Sequence, residues 1–298
     1  MRSLKHYIAW ALNRPIIRSL PFADKWYLNI RYSKKFGKNP DWKNPTTFNE
    51  KLQWLKINYR KDEFTKMVDK YAVREYITEK IGKEYLIDLV GGPWENPEDI
   101  DFDALPNQFV LKCTHDSGSV FICKDKKNFD IAEVKKKISK ALKFNMYWYG
   151  REWPYKNVKP RIIAEKYMVD ESGTELKDYK LFCFQGTPEI LFIACDRYVE
   201  NTETKFNFYD MDFNLLPFTH GHPNSDAPIK RPASLEKMKE LASILSAGLP
   251  HLRVDFYDIN GRIYFGELTF FHHSGFVPFE PEFWDKKLGD MINLPGKE

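Results

Sequence analysis

The spacing of hydrophobic positions changes along the chain, from a helical repeat in the first third to strand-like runs after residue 109. The segment Thr47–Glu50 fits a capping box, and Phe48, Leu52 and Leu55 follow at helical spacing, which predicts a helix here. Further helices are predicted where apolar residues recur on one face, over 65–82, 130–146 and 234–248.

Short runs of β-branched and aromatic residues, separated by turn residues, predict strands. These runs cover 109–111, 120–123, 161–168, 178–184, 189–195 and 205–210, and a terminal hairpin covers 252–271. The pattern predicts an α+β class with mostly antiparallel sheets. We expect a basic helical region over residues 1–84 and a catalytic domain over residues 85–298.

Composition places the chain among ordinary globular proteins. Its 298 residues are 43% hydrophobic and 30% charged, and no apolar run approaches the roughly 20 residues that span a bilayer. The four cysteines, Cys113, Cys123, Cys183 and Cys195, lie in strand-like runs without CxxC spacing. Free thiols in a reducing cytoplasm are therefore expected, and with them a cytoplasmic protein.

Charge is concentrated at the start of the chain. Residues 1–40 hold nine Lys or Arg and one Asp, interleaved with Ile, Leu and Trp. Such a segment either contacts an anionic membrane surface or is a helix packed on its own domain with a solvated basic face. Of these two hypotheses, peripheral contact at the inner face of the membrane is the more specific one. No nucleic-acid-binding motif accompanies the charge, so we expect no nucleic-acid partner.

The terminal hairpin carries two carboxylates, Asp255 and Glu267, inside apolar strands. A three-residue loop, 259–261, would place both on one face, whereas a two-residue loop would separate them. Two inward carboxylates repel each other, and a shared Mg²⁺ would relieve this repulsion. Ion pairs with Arg253 and Arg262 are the alternative. On the metal hypothesis, amide substitution of either carboxylate is expected to leave the melting temperature unchanged or slightly raised.

The hairpin over 109–126 places a lysine, Lys112, at the end of its first strand and a small-residue loop, Ser117, Gly118 and Ser119, before the second. A lysine neutralises phosphate charge, and a loop of small residues lets backbone N–H groups approach phosphate oxygens. The chain has neither GxxxxGK[ST] nor GxGxxG. The hairpin therefore predicts a phosphate site of another kind.

The order of these segments resembles the ATP-grasp superfamily, closest to its teichuronopeptide-biosynthesis (TupA-like) branch among cell-surface polysaccharide enzymes. The resemblance covers about residues 69–275, from "DKYAVREYI" through "FVLKCTHDSGSVFICK", "IIAEKYM" and "ELKDYKLFCF" to "RVDFYDINGRIYFGELTF". It implies two α/β subdomains that sandwich a nucleotide. Thr269 stands where superfamily members usually carry asparagine, which leaves the third metal ligand open.

The resemblance implies an ATP- and Mg²⁺-dependent ligase that joins a carboxylate to an amine through an acylphosphate. The acid and amine would be small molecules or polymer-linked groups, plausibly a uronic acid or glutamyl unit of a bacterial surface polysaccharide. The implied nucleotide contacts are Lys112, Ser117, Gly118, Ser119, Glu165, Lys166, Met168 and Lys180. The implied metal ligands are Asp255, Glu267 and Thr269, the catalytic cations are Arg253 and Lys180, and substrate binding falls to His272, His273, Ser274 and Gly275.

Two other motifs compete with this interpretation. Asp210 and Asp212 form an Asp-x-Asp motif, as in metal-dependent glycosyltransferases of capsular or O-antigen synthesis, but they lie in a predicted polar turn. Thr219–His222 and His272–His273 suggest zinc, without a CxxC or HExxH frame. A glycosyltransferase is therefore the alternative function, and for the histidines a surface or substrate role is favoured over zinc.

Overall fold

The computed structural model describes residues 22–170, 176–195, 203–225, 227 and 229–297. Within them the strands form two sheets in which all neighbours are antiparallel. The four-stranded sheet has the order β1-β4-β2-β3 and the five-stranded sheet the order β7-β6-β5-β8-β9. The strands are β1 Leu89–Trp94, β2 Phe109–Cys113, β3 Val120–Cys123, β4 Ile162–Lys166, β5 Asp178–Phe184, β6 Thr187–Cys195, β7 Lys205–Tyr209, β8 His251–Ile259 and β9 Arg262–Thr269.

Helices surround the sheets. The helices are α1 Ala23–Phe36, α2 Phe48–Asn58, α3 Glu63–Val68, α4 Val73–Lys80, α5 Ile131–Ala141, α6 Tyr147–Gly150, α7 Leu235–Ser246 and α8 Phe283–Asp290. Of these, α2 and α5 begin at capping side chains, Thr47 and Asp130. The predicted capping box is present, with Thr47 accepting from the Glu50 amide and the Glu50 side chain accepting in return.

The predicted helix over 65–82 is two helices, α3 and α4. The break falls at Asp69, whose backbone is extended and whose carboxylate accepts from the amides of Tyr71 and Ala72. The same carboxylate pairs with Arg161 at 2.6 Å. Asp69 therefore ends α3, and its carboxylate accepts from the amides of the turn that leads into α4.

Each sheet has its own apolar core. The five-stranded sheet packs with α2, α3, α4, α7 and α8 in one large cluster. The four-stranded sheet packs with α5 in a smaller cluster built on Phe109, Leu111 and Ile138. The helices α2–α4 share the large core with the five-stranded sheet, and the predicted boundary at residue 84 stays a prediction.

The β8–β9 hairpin turns through two residues, so the three-residue loop predicted from the sequence is wrong. Ile259 pairs with Arg262, and Asn260 and Gly261 both have positive φ (54° and 83°), as a type I′ turn requires. A β-bulge at Gly266 adds one residue to β9, so Asp255 pairs directly with Glu267. The two carboxylates thus share a face through the bulge and not through the turn.

The mixed α and β content and the antiparallel sheets agree with the predicted class. Cys113, Cys123 and Cys183 are buried and all four cysteines are free thiols. In the described part of the chain, no helix has the length and apolarity needed to cross a membrane. Most of the basic segment 1–40, residues 1–21, lies outside the described residues.

Candidate active site

A cleft of about 840 Å³ lies between the two sheets. Both hairpins singled out in the sequence contribute to it, together with the segment that follows β4 and the first strand of the large sheet. Charged side chains line one part and aliphatic side chains another. The charged and polar lining includes Lys70, Arg74, Lys112, Ser117, Lys124, Asp125, Asn128, Glu165, Lys166, Asp178, Lys180 and Glu267.

The wall of the cleft formed by the four-stranded sheet is organised around one ion pair. Lys112 on β2 donates to Glu165 on β4 with 2.5 Å between Nζ and Oε2. The register pairs Val110 with Glu165, so the lysine and the carboxylate are diagonal neighbours on one face. Burial opposes the charge of Lys112, but the adjacent Glu165 outweighs burial and raises the lysine pKa.

The small-residue loop closes one end of this wall. Ser117 and Gly118 line the cleft, and Gly118 has φ 104° with open space where a side chain would stand. Ser119 does not point to the cleft, since its hydroxyl donates to the Asp116 carboxylate. Two of the three predicted loop residues thus line the cleft, and the nucleotide contact of Ser119 stays a prediction.

Lys70 is a cleft cation to which the sequence analysis gave no role. Its ammonium donates to the backbone carbonyl of Asp116, so it lies under the small-residue loop. Its position could have been found from the sequence, because Lys70 directly follows Asp69 in the segment "DKYAVREYI", with which the family resemblance begins.

The segment after β4 supplies a different surface. Glu165, Lys166 and Met168, all predicted nucleotide contacts, line the cleft. Aliphatic and aromatic side chains from both sheets and from α4 face the same space: Val73, Leu86, Ile87, Val110, Val120, Ile122, Phe129, Tyr257 and Phe265. A flat, largely apolar group with a polar edge, such as a purine, is the kind of ligand this arrangement accommodates.

The wall formed by the five-stranded sheet presents Asp178, Lys180 and Glu267 to the cleft. Lys180 on β5 lies across from Asp255 on β8 and forms ion pairs with Asp255 and, at 3.3 Å, with Asp178. Its side chain is only 7% exposed. Lys180 is therefore held by two carboxylates at the edge of the cleft.

Arg253 is the hub of this wall. Its Nε and one terminal nitrogen donate to the two oxygens of Asp255, each at 2.7 Å, and the same terminal nitrogen donates to Glu267 at 2.6 Å. The other terminal nitrogen donates to Nδ1 of His272 at 2.7 Å. The repulsion between the two carboxylates, which the sequence analysis assigned to a shared metal, is relieved here by Arg253.

The two carboxylates of the hairpin differ in protonation behaviour. Burial acts to raise the pKa of Glu267, but Arg253 and Lys180 outweigh it and lower this pKa to about 2. The Asp255 pKa is raised, because the burial of this fully enclosed carboxyl outweighs Arg253 and Lys180. Glu267 is thus the firmly ionised member, and its side chain is 42% exposed.

A hard cation such as Mg²⁺ fits this donor set at Glu267, an ionised carboxylate open to the cleft. Asp255 lies directly behind it and accepts hydrogen bonds from Arg253 and Lys180. The Thr269 hydroxyl is 3.3 Å from Glu267 Oε1 and donates to it. Of the two arginines considered as ion-pair partners for these carboxylates, Arg253 pairs with both. Arg262 instead lies over the Tyr264 ring on the same hairpin.

The predicted substrate turn, residues 272–275, lies outside the cleft lining. His272, Ser274 and Gly275 are buried among α2 and the segment after α6. Burial leaves these three little surface for a substrate, and their substrate role stays a prediction. His273 is half-buried and its substrate role stays a prediction.

Three imidazoles, of His220, His272 and His273, offer nitrogen atoms within 4.8 Å of one another. Because a guanidinium can only donate, the Arg253 contact fixes Nδ1 of His272 as an acceptor, and its Nε2 carries the proton. His220 Nε2 lies 3.0 Å from the Val277 carbonyl, to which it donates. A neutral His272 thus has no free lone pair for a metal, which argues against a three-histidine zinc site.

The Asp-x-Asp motif has a local structural explanation. Asp210 Oδ1 accepts from the amides of Asp212 and Asn214, and Oδ2 accepts from the Asn214 side chain. This arrangement is an Asx turn at an exposed position. Among the described residues, no contact favours a nucleotide-sugar role for Asp210 and Asp212.

Comparison with known proteins assigns the family. The model of the TupA-like ATP-grasp family matches residues 50–293. The chain belongs to the TupA-like ATP-grasp family. Its fold is accordingly the ATP-grasp fold, with two antiparallel sheets on either side of a cleft. The family match also begins inside α2, before residue 84.

Solved structures similar to the chain include three synthetases. The ATP complex of a D-alanine–D-alanine ligase from Bacillus anthracis is 18% identical, with 68% of this chain and 54% of that chain covered and a TM-score of 0.39. An L-amino acid ligase from Bacillus licheniformis is 14% identical, with 87% and 48% covered and a TM-score of 0.41. An N5-carboxyaminoimidazole synthetase from Staphylococcus aureus is 15% identical, with 68% and 44% covered and a TM-score of 0.35.

The chain therefore spans about half the length of these solved proteins. No curated protein matches it.

Proposed function

We propose that this TupA-like ATP-grasp protein is an ATP-dependent carboxylate–amine ligase. The observation that carries the proposal is the convergence of Lys112, Lys180 and the ionised Glu267 on one cleft between the two sheets. Two cations suited to phosphate and one open carboxylate suited to Mg²⁺ are the groups that phosphoryl transfer from ATP requires.

The nucleotide would lie with its base against the aliphatic part of the cleft. Backbone groups of Lys166 and Met168 and the side chain of Glu165 would contact the adenine and ribose. Lys112, the Ser117–Gly118 backbone and Lys180 would contact the phosphates. Mg²⁺ would be held by Glu267 with Asp255 behind it, and would neutralise charge on the transferring phosphoryl group.

The reaction would proceed in two steps. A substrate carboxylate attacks the γ-phosphorus, the bond to the β-γ bridging oxygen breaks, and an acylphosphate and ADP form. An amine then attacks the acyl carbon, inorganic phosphate leaves and an amide forms. Lys180 and Arg253 would stabilise the negative charge on the phosphoryl oxygens. Ion pairs with Asp255 already hold both cations in place, so they would not have to reorganise during the reaction.

The substrate classes are proposed from the family. The TupA-like branch suggests a uronic acid or glutamyl carboxylate, free or polymer-linked, and an amine, in bacterial cell-surface polysaccharide synthesis. Such a reaction would take place in the cytoplasm. Peripheral membrane contact through residues 1–40 would bring the enzyme close to lipid-linked polymer.

The primary test is ligand binding followed by turnover. Isothermal calorimetry is expected to detect Mg·ATP and no UDP-sugar, and ADP release is expected only with a matched acid and amine from a panel of uronic acids, glutamyl compounds and amino acids. Binding of a UDP-sugar in place of Mg·ATP would overturn the proposal and favour the glycosyltransferase.

Membrane contact has its own test. Phe22 and Trp26, each 55% exposed at the start of α1, would extend the apolar side of the basic segment. The full-length protein is expected to sediment with liposomes that contain anionic lipid, in a salt-sensitive manner, and a form lacking residues 1–21 is expected to bind less. Equal binding of the two forms would contradict this role.

A further inference from the structure

Two titratable side chains outside the cleft, Lys56 on α2 and Glu152 after α6, are buried in the protein interior. Lys56 is fully buried and Glu152 is 6% exposed. Burial lowers the pKa of Lys56, and burial raises the pKa of Glu152, while each partner opposes the shift of the other. Neither side chain lines the cleft, so neither is explained by nucleotide binding.

The contacts of both side chains converge on one residue, Ser274. Lys56 Nζ donates to the Ser274 carbonyl at 2.8 Å and to its hydroxyl at 3.2 Å. The Ser274 hydroxyl in turn donates to Glu152 Oε1 at 2.5 Å. Gln53, one turn before Lys56 on α2, donates to the carbonyls of Ser274 and Gly275 at 3.1 and 2.8 Å.

The turn that these groups hold has an unusual backbone. His273, Ser274 and Gly275 are consecutive residues with φ of 48°, 56° and 59°. A non-glycine residue in this left-handed region costs about 1 kcal/mol or more, so two in succession persist only when surrounding contacts fix them. The hydrogen bonds that Lys56 and Gln53 donate to the turn, and the one that Glu152 accepts from it, are such contacts.

The turn sets the position of the residue before it, His272. The His272 ring is packed edge-on against Phe182, with 4.9 Å between the ring centroids. Its Nδ1 accepts from Arg253 at 2.7 Å, opposite the side on which Arg253 donates to Asp255 and Glu267. With Asp255 and Glu267, His272 is therefore the third side chain that accepts from Arg253 and so fixes the plane of its guanidinium group.

We propose that Lys56 and Glu152 are positioning residues for Arg253, acting through the left-handed turn at residues 272–275 and the His272 imidazole. The part of this inference that concerns phosphoryl transfer rests on the proposed function. The part that concerns the orientation of His272 and Arg253 depends only on the contacts described above.

A purely stabilising role would be served as well by other residues. Replacing a buried ion pair with apolar residues of similar volume is often neutral or stabilising, because both charges must be removed from water. An apolar pair at positions 56 and 152 would, however, leave the Ser274 carbonyl and hydroxyl without these partners. The polar pair is thus suited to specifying the turn conformation.

The first test observes His272 directly. In protein labelled with ¹⁵N-histidine, wild type is expected to show His272 as a single tautomer, unprotonated at Nδ1 and protonated at Nε2. Lys56→Met, Glu152→Gln and Ser274→Ala are each expected to replace that signature with a mixture of tautomers or a broadened signal. If Lys56→Met does not fold, the other two variants carry the same test.

A matched control lies on the same helix. Lys51 donates to the carbonyls of Gly289 and Ile292, both at 2.8 Å, and does not reach the turn. Lys51→Met therefore removes a lysine with two backbone contacts and is expected to keep the His272 signature. An unchanged signature in folded Lys56→Met and Glu152→Gln would overturn the proposal.

A glycine substitution tests whether Lys56 acts on His272 through the conformation of the turn. Glycine adopts positive φ without the steric cost of serine. Ser274→Gly, added to Lys56→Met, is therefore expected to restore the single His272 tautomer. Failure to restore it, with the double variant folded, would overturn transmission through the turn.

The functional readout is kept separate. Aluminium fluoride added to Mg·ADP mimics a transferring phosphoryl group, and wild type is expected to bind Mg·ADP more tightly in its presence. In Glu152→Gln, the factor by which aluminium fluoride increases the affinity for Mg·ADP is expected to be at least tenfold smaller than in wild type. Its affinity for Mg·ADP alone is expected to change less than twofold. Absence of Mg·ADP binding in wild type would count against the proposed function and leave the tautomer test intact.

Discussion

The two walls of the cleft hold their charges in different ways. On the four-stranded sheet one lysine, Lys112, faces one carboxylate, Glu165, and their side chains are 17% and 11% exposed. On the five-stranded sheet Lys180, Arg253 and Asp255 are linked in one network whose side chains are at most 9% exposed. One wall carries a single pair and the other a cross-linked cluster.

The difference indicates how each wall would respond to a ligand. The single pair can exchange a carboxylate partner for a phosphate, because only one contact has to be broken. Arg253 is held by four hydrogen bonds to three side chains, and its movement would leave the buried Asp255 with Lys180 alone. We therefore expect the four-stranded wall to adapt and the five-stranded wall to be preorganised.

Removing the hub should have the largest effect on stability. Arg253→Met leaves Asp255 buried with Lys180 as its remaining cation, and we expect a loss of about 3–5 kcal/mol in the free energy of unfolding. Urea denaturation measures it. Arg262→Met, on the same hairpin but at an exposed position, is the control and should change stability by less than about 0.5 kcal/mol. A loss below 1 kcal/mol in Arg253→Met would contradict the network description.

The two hairpin carboxylates should separate stability from activity. Asp255→Asn replaces two accepting oxygens with one and turns a donor towards Arg253 or Lys180, so we expect a loss of about 3 kcal/mol. This prediction differs from the expectation from sequence that amide substitution leaves the melting temperature unchanged or slightly raised. Glu267→Gln, at the open end of the network, should remain close to wild type in stability and lose Mg²⁺-dependent nucleotide turnover.

Calorimetric unfolding of both variants measures the first part, and ADP release measures the second. Equal stability losses in Asp255→Asn and Glu267→Gln would mean that the open and enclosed carboxylates are energetically alike. That result would remove the distinction drawn here between them.

On the opposite wall, Lys112→Ala should affect binding more than folding. Loss of one charge-assisted contact to phosphate is expected to weaken Mg·ATP binding by about 2 kcal/mol, roughly 30-fold. Lys124→Ala, which removes another lysine lining the cleft, is the control, because no contact links Lys124 to Glu165 in the described structure. Unchanged affinity in Lys112→Ala by calorimetry would remove this residue from the site.

How far the sequence predicts the site differs between the walls. The strands of the opening hairpin were predicted correctly, because each strand is short, its alternation is clear and its contacts lie within the same sheet. The register Lys112–Val120 follows from the pattern of apolar positions around a turn rich in small residues. Local sequence is sufficient where the contacts are local.

The other wall depends on contacts that local sequence does not specify. The bulge at Gly266 changed the parity of β9, and the turn residues Asn260 and Gly261 give no sign of a bulge five residues further on. His272 was predicted to bind substrate, but it faces Arg253, nineteen positions earlier in the sequence. The burial of residues 272–275 depends on α2, more than two hundred residues away, which no spacing rule anticipates.

Acid pH gives the last and smallest test of the comparison. The histidines with lowered pKa, because burial disfavours their charged form, all pack on the five-stranded side: His220 and His251 to about 3, His273 to about 4, and His272 well below its usual value. The unfolded chain binds protons near pH 6.5, whereas the folded chain does not. Their contribution is therefore fully present above pH 6.5 and is lost as pH falls towards the folded values.

Between pH 6.5 and 5 we expect each such histidine to contribute up to about 2 kcal/mol to the loss of stability, measured by urea denaturation across that range. His251→Asn should reduce the pH dependence of the free energy of unfolding by the contribution of one histidine, because an amide does not titrate. The asparagine amide can still donate to the Cys183 carbonyl, as His251 does. His222→Asn, at a half-buried position beside the cluster, is the control variant. An unchanged slope in His251→Asn would show that the folded protein admits a proton at this site, and the five-stranded half would then be less rigidly enclosed than its contacts indicate.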